Sequence, residues 1–110
     1  MATTHDYIEY VAAQAEAADC GNVRYRKMFG EYMVYVNDKP ILLVCDNTVY
    51  VKMLPCLDKL MVKADKGFPY DGAKEHYILD IDSLELTQSV VTALEAVTPI
   101  PKPRKKKGQT

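Results

Sequence analysis

Between Val23 and Met53 the chain reads VRYRKMFGEYMVYVNDKPILLVCDNTVYVKM, rich in β-branched and aromatic residues. It is interrupted at Asn37-Asp38 and Asp46-Asn47, pairs that tolerate positive φ and suit two-residue hairpin turns. That pattern predicts four strands: Val23–Phe29, Glu31–Val36, Ile41–Cys45 and Thr48–Met53. Gly30 marks a tight turn or bulge between the first two. Strands joined by short turns pair antiparallel, so this stretch forms the body of a sheet.

If both Asn/Asp turns hold two residues, the register follows. Tyr32, Leu43 and Tyr50 then lie side by side on one face, with Val34, Ile41 and Lys52. Met33, Leu42 and Val51 line the other face, with Tyr35, Val44, Val49 and Met53. The second face is nearly all apolar and is expected to meet the helices. The first is mixed, and is expected to be partly wet or to meet a partner. A slip of one residue at either turn would exchange the two faces.

Helices are expected around this sheet. Residues 4–19 carry Ile8, Val11, Ala12 and Ala15 on one helical stripe, with Thr3 or Thr4 as N-cap and Gly21 placed for a left-handed C-terminal cap. Pro55 suits a helix's first turn, and Leu57, Leu60, Met61 and Ala64 repeat at helical spacing up to Gly67. Phe68-Pro69-Tyr70-Asp71-Gly72 reads as a loop held by two aromatic anchors, and Tyr77–Ile81 as a fifth strand. Asp82 or Ser83 caps a last helix with Leu86, Val90, Ala93, Leu94 and Val97 on its apolar side. The expected order is α-ββββ-α-β-α: an α+β domain over residues 1–98, an antiparallel sheet with helices packed on one face. Pro99, Pro101 and Pro103 end it, and residues 99–110 form a flexible basic tail.

The segment Val23–Tyr35, a basic strand running into Met28-Phe29-Gly30 and a second strand through Tyr32, resembles the N-terminal domain of the TfoX/Sxy competence-regulator family. Ile41–Cys45 and Asp46–Lys52, with its Val49-Tyr50-Val51-Lys52, are similar to that family's next hairpin, and Phe68-Pro69-Tyr70 resembles its Phe-x-Tyr element. The likeness runs from residue 4 to about residue 97. It implies a fold like the secretion-chaperone-like α+β group, whose members often pair as dimers. It also implies a non-enzymatic module for regulating competence and transcription, with no cofactor. Glu31 and Met33 stand where the family often has glycine, and the basic tail stands where the full-length regulators carry a second, helical domain.

Charge separates along the chain. Of 14 Lys and Arg, the last nine residues hold Lys102, Arg104, Lys105, Lys106 and Lys107 and no acid; the remaining nine face 15 acidic residues. The tail reads either as a non-specific nucleic-acid arm, releasing counterions, or as a solubilising end. Arg24 and Arg26 share one face of their strand and Lys27 the other. They serve either to bind phosphate or an acidic partner, with Tyr25, Tyr32 or Tyr50 as stacking surfaces, or to keep a charged edge strand from aggregating. Candidate interaction residues are therefore Arg24, Arg26, Tyr32, Leu43, Tyr50 and Lys52. The expected partner is a protein, including a second copy through the Tyr32/Leu43/Tyr50 face; the alternative is nucleic acid held by the tail and the Arg24/Arg26 strand.

Catalytic signals are missing. Cys20, Cys45 and Cys56 form no CxxC pair; Cys56 alone draws interest, in the first turn of the expected second helix. His5 and His76 lie far apart, and Asp71, Glu75, Asp80 and Asp82 keep no metal-ligand spacing with His76. The apolar run Ile41–Cys45 is far short of the roughly 20 residues a membrane-spanning helix needs, so no membrane role is expected. With no basic flank and apolar stretch at the start, cytoplasm is the expected compartment.

Overall fold

The computed structural model describes residues 3–19, 21–28 and 31–100, and of Met28 the backbone alone. Helix α1 (His5–Ala17) begins where Thr4 Oγ1 accepts the Tyr7 N–H at 3.2 Å. Asp19, at φ 57°, supplies the left-handed residue after it, not Gly21 as expected. Gly21 is required for a different reason: a Cβ there would fall 2.5 Å from the Asn37 side-chain amide. That amide accepts the Asn22 N–H at 2.9 Å and ties the end of the α1–sheet connection to the first hairpin turn.

Strands β1 (Val23–Met28), β2 (Glu31–Val36), β3 (Lys39–Cys45), β4 (Thr48–Lys52), β5 (Lys66–Gly67) and β6 (His76–Ile78) form one antiparallel sheet in the order β1-β2-β3-β4-β6-β5. Both expected turns hold two residues, with Asn37, Asp38, Asp46 and Asn47 all at φ between 51° and 66°. That is the turn whose twist matches paired strands. The expected turn or bulge at Gly30 lies outside the described residues.

The strands pair as expected between β3 and β4, where Leu43 faces Tyr50 and Val44 faces Val49. Between β2 and β3 the expected register is wrong. It starts correctly beside the turn, with Val36 opposite Lys39 and Tyr35 opposite Pro40, but then Val34 pairs with Leu42, leaving Ile41 as an extra residue. This β-bulge moves the rest of β2 by one position and exchanges its faces. Tyr32, Val34 and Val36 therefore join Leu42, Val44, Val49 and Val51 on the core side. Met33 and Tyr35 turn to the opposite, outer side.

Helix α2 (Leu84–Val97) starts at Ser83, whose Oγ accepts the Leu86 N–H. Its inward residues are Thr87, Val90, Val91 and Leu94; Val97, expected on that stripe, is exposed. Ile8, Val11 and Ala15 of α1 and the inward residues of α2 cover the core side. Polar bonds fasten them as well. Gln14 donates to the Ile81 carbonyl, and Lys39 meets both the Glu95 carboxylate, at 3.0 Å, and its carbonyl.

The helix expected after Pro55 does not form. Pro55–Leu57 make a single 3-10 turn, further turns follow to Lys63, and Lys66–Gly67 are already in β5. Leu57 and Met61 alone point fully inward, while Leu60 is exposed and Val62 is 75% exposed. Two inward anchors about one helical turn apart can be satisfied by a coil, and the chain must be extended again by Lys66. The observed order is thus α-ββββ-ββ-α, still an α+β fold. The expected aromatic anchors of the next loop are also outside: Phe68 is 62% and Tyr70 53% exposed, and Pro69 is the buried residue. The strand expected over 77–81 occupies 76–78; the Leu79 N–H still reaches the Val49 carbonyl, and an Asp80-capped turn follows.

Candidate functional site

Both helices pack on the core side, so among the described residues no helix covers the outer side of the sheet. The register places Arg24 and Arg26 (β1), Met33 and Tyr35 (β2), Leu43 (β3), Tyr50 and Lys52 (β4), and His76 and Ile78 (β6) on it. Met33, Leu43, Tyr50 and Ile78 are half-buried and make its apolar centre. A groove of about 250 Å³ runs along this centre from Met33, Leu43 and Tyr50 to Lys52 and His76, and is closed at one end by Val97, Thr98 and Pro99 behind α2. Ile41, the extra residue of the bulge, also lines it.

The expected site residues divide. Leu43, Tyr50 and Lys52 do share this face, and Arg24 and Arg26 extend it at the β1 edge. Tyr32 does not: it is 5% exposed on the core side, edge-on to Tyr25 at 5.6 Å between ring centroids. Tyr25 in turn donates its hydroxyl to Glu9 at 2.8 Å, so both rings fasten the sheet to α1. The expected Tyr32/Leu43/Tyr50 surface is therefore corrected to Met33/Leu43/Tyr50. The tail residues Lys102, Arg104, Lys105, Lys106 and Lys107 lie outside the described residues.

The Arg24 guanidinium sits 3.2 Å from Asp38 and 5.4 Å over the Tyr35 ring. Both members of that ion pair are about two-thirds exposed, so it contributes little and is easily exchanged. His76 Nδ1 lies 2.7 Å from the Lys74 carbonyl, which only accepts, so Nδ1 carries the hydrogen and Nε2 is left for another partner. Its ring stands perpendicular to Tyr50 at 6.4 Å. The Tyr50 ring lies over Gly67: a Cβ there would sit 3.3 Å from Tyr50 Cε1 and 3.3 Å from Ile78 Cδ1. Burial raises the Tyr50 phenol above its ordinary value, with Cys45 and Asp46 adding to it. Burial likewise pushes the Cys45 thiol up to about 12, helped by the Glu31 carboxylate, its hydrogen bond and Asp46. A thiol so held stays neutral and is no nucleophile. Cys56 is exposed at a 3-10 turn of three residues, too short to supply the helix field expected for it.

Among the described residues no three His, Cys, Asp or Glu side chains converge to hold a metal, and no helix is long and apolar enough to cross a membrane.

The chain matches the TfoX N-terminal domain family over residues 15–96. It belongs to that family. The matched stretch takes in the whole sheet and nearly all of α2, so the outer face lies within the family's own domain, and Val97, Thr98 and Pro99 at the end of the groove lie just beyond it. One relative, an uncharacterized 12.7 kDa protein in the trpE 5' region of Spirochaeta aurantia, is 34% identical over 112 residues, covering all of this chain and 96% of its own length. No solved structure gives a significant match.

Sequence reasoning missed Met33, Tyr35, His76, Ile78 and Gly67 as parts of one surface. A signal was present for the first two. Pro40 stands in what becomes an internal strand, where proline is confined to irregular positions, and the bulge lies directly beside it.

Proposed function

We propose that this TfoX N-terminal-type domain is a non-enzymatic, cytoplasmic interaction module that regulates transcription by presenting the outer side of its sheet to a partner. One observation carries this reading: a six-stranded sheet with both helices on one side leaves half-buried Met33, Leu43 and Tyr50 along an open groove on the other, with half-buried Ile78 paired beside Tyr50. Half-buried aromatic and aliphatic residues ringed by cations are the composition of an interaction surface and are wasteful on a surface that meets only water. Among the described residues of that face no nucleophile is hydrogen-bonded to a base, and the buried Cys45 thiol there is held neutral.

The test compares three strains of the source organism: wild type, deletion of this gene, and a chromosomal Leu43→Glu variant. Leu43 sits at the centre of the groove on the outer side, so the substitution spoils the face while leaving the core untouched. The expected outcome is a transcript profile in which the variant reproduces the deletion at normal protein level. A deletion with no transcript change overturns the regulatory role. A changed deletion profile beside a wild-type Leu43→Glu profile moves the working surface elsewhere.

A further inference from the structure

The groove on the outer side has an apolar body and one cationic end. Ile41 and Leu94, 6% and 2% exposed, are its deepest residues. Met33, Leu43 and Tyr50 make one wall, a single row across β2, β3 and β4, because Leu43 pairs with Met33 on one side and Tyr50 on the other. The Tyr50 ring is held in place, with Gly67 against it and His76 edge-on at 6.4 Å. Lys52 and His76, cross-strand neighbours on β4 and β6, supply the polar end. The charge of the lining is one-sided. None of the described residues that line the groove is acidic. Among the described residues no carboxylate lies within ion-pair distance of Lys52. The acids of the region are engaged or set apart. Asp38 is on Arg24, Glu31 and Asp46 act on Cys45, and Glu95 is held by Lys39 at 3.0 Å. Glu75 lines an adjoining depression that Lys52 and His76 also border.

From this arrangement we infer that the groove is a binding site for a small amphipathic carboxylate, its chain along the Met33/Leu43/Tyr50 wall and its head at Lys52. The inference goes beyond the reading above and does not depend on a transcriptional role, although both use Leu43. Size sets the first limit. At about 250 Å³ the groove falls below the roughly 300–1,000 Å³ of drug-sized sites, so its occupant is small. From Lys52 on β4 to Met33 on β2 is two strand intervals, about 10 Å, the reach of a medium-length acyl chain. Chemistry sets the second. The aliphatic and aromatic lining gains by taking apolar surface out of water. The Lys52 ammonium has three donors and no acceptor, so it selects an anionic head and repels an amine. Beside an apolar wall that attraction is less screened than in open water. His76 Nε2, left over by the bond to the Lys74 carbonyl, is a second polar atom at the same end. A protein laid across the whole face would also meet Arg24 and Arg26 at the β1 edge; a carboxylate of this size needs only the groove.

The test is a nitrogen-15 amide NMR titration of the full-length chain with octanoate, octanol and octylamine, each kept below its micelle concentration. Saturable shifts are expected at Met33, Ile41, Leu43, Tyr50, Lys52 and His76, with octanoate bound most tightly and octylamine least. Lys52→Met should weaken octanoate roughly ten-fold, through loss of a hydrogen bond to a charged group, and leave octanol unchanged. A merely structural role for Lys52 would weaken both alike. Thermal melts establish that the variant is folded, and Lys52→Gln replaces it if it is not. Arg24→Gln with Arg26→Gln should leave octanoate affinity as it is. The proposal is overturned by absence of saturable shifts, by shifts that map elsewhere, by octylamine binding as well as octanoate, or by equal loss of octanoate and octanol in Lys52→Met. It is overturned too if the groove resonances move with protein concentration alone, which would assign the groove to a second copy of the chain. If octanoate does not bind while Leu43→Glu still reproduces the deletion profile, the working surface stands and the carboxylate assignment falls. If octanoate binds while the deletion changes no transcript, the site stands and the regulatory role falls.

Discussion

The two sides of one sheet differ more than any two elements of this protein. On the core side Val34, Val36, Leu42, Val44, Val49 and Val51 are aliphatic and at most 1% exposed. On the outer side the neighbours of those same residues are Met33, Tyr35, Leu43 and Tyr50, half-buried and rimmed by Arg24, Arg26 and Lys52. The backbone is shared, so only the phase of each strand assigns a side chain to packing or to display. Leu42 and Leu43 are the sharpest instance: adjacent, identical in chemistry, and opposite in role.

That contrast can be broken most directly by truncating each leucine in turn. Leu42→Ala should cost about 2–5 kcal/mol, because it opens a cavity against the helices. Leu43→Ala should cost less than about 1 kcal/mol, because half its surface is already wet. Urea unfolding of both variants reads the difference, and equal losses would mean that the outer side is structural core as well.

The second comparison is chemical. Cys45, its thiol held near 12 by burial and Glu31, should react with a maleimide far more slowly in the native chain than in denaturant. Measured in a Cys20→Ser, Cys56→Ser background at pH 8, the two rates should differ by roughly three orders of magnitude on thiolate fraction alone. The sign for stability follows: the unfolded thiol loses its proton first, so this group's contribution is intact below about 9 and is lost as pH rises to about 12. Native labelling as fast as unfolded labelling would show that strand end to be open.

The smallest effect lies on the core side. Thr87 of α2 is fully buried, and its Oγ1 has no hydrogen-bond partner among the described residues. Thr87→Val fills the same volume without stranding a hydroxyl, and should raise stability by about 1 kcal/mol in the same urea assay. A loss instead would identify an unrecognised polar contact in the core.

Much of this fold could be read from the residues. The Asn/Asp pairs specify turns by a local requirement for positive φ, Thr4 and Ser83 cap through their own hydroxyls, and the β3–β4 pairing follows from a two-residue turn. What failed was phase. Pro40–Cys45 is an unbroken apolar run, and a run without alternation carries no statement of which residue faces inward. One extra residue at Ile41 then removed Tyr32 from the candidate face and brought Met33 and Tyr35 to it. The missing helix after Pro55 failed for a related reason, since helical spacing of four apolar residues was present but only Leu57 and Met61 are fully buried, with Ala64 partly so and Leu60 exposed.

Asn47 accepts the backbone N–H of Thr4 at 2.9 Å, and Thr3 donates to the Val44 carbonyl at 3.3 Å, bonds that join residues more than 40 positions apart. The β2–β3 and β3–β4 hairpins close over two residues each. Loop-closure entropy lets such near contacts form early and makes the distant ones wait. On this argument helix α1 is expected to land on strands that have already paired, so that its landing tests their register. A β2–β3 hairpin closed without the extra residue would offer the helices Met33 and Tyr35 where Val34 and Val36 belong, and would have to reopen before α1 and α2 could settle. Helix docking is in this sense the proofreading step for strand register.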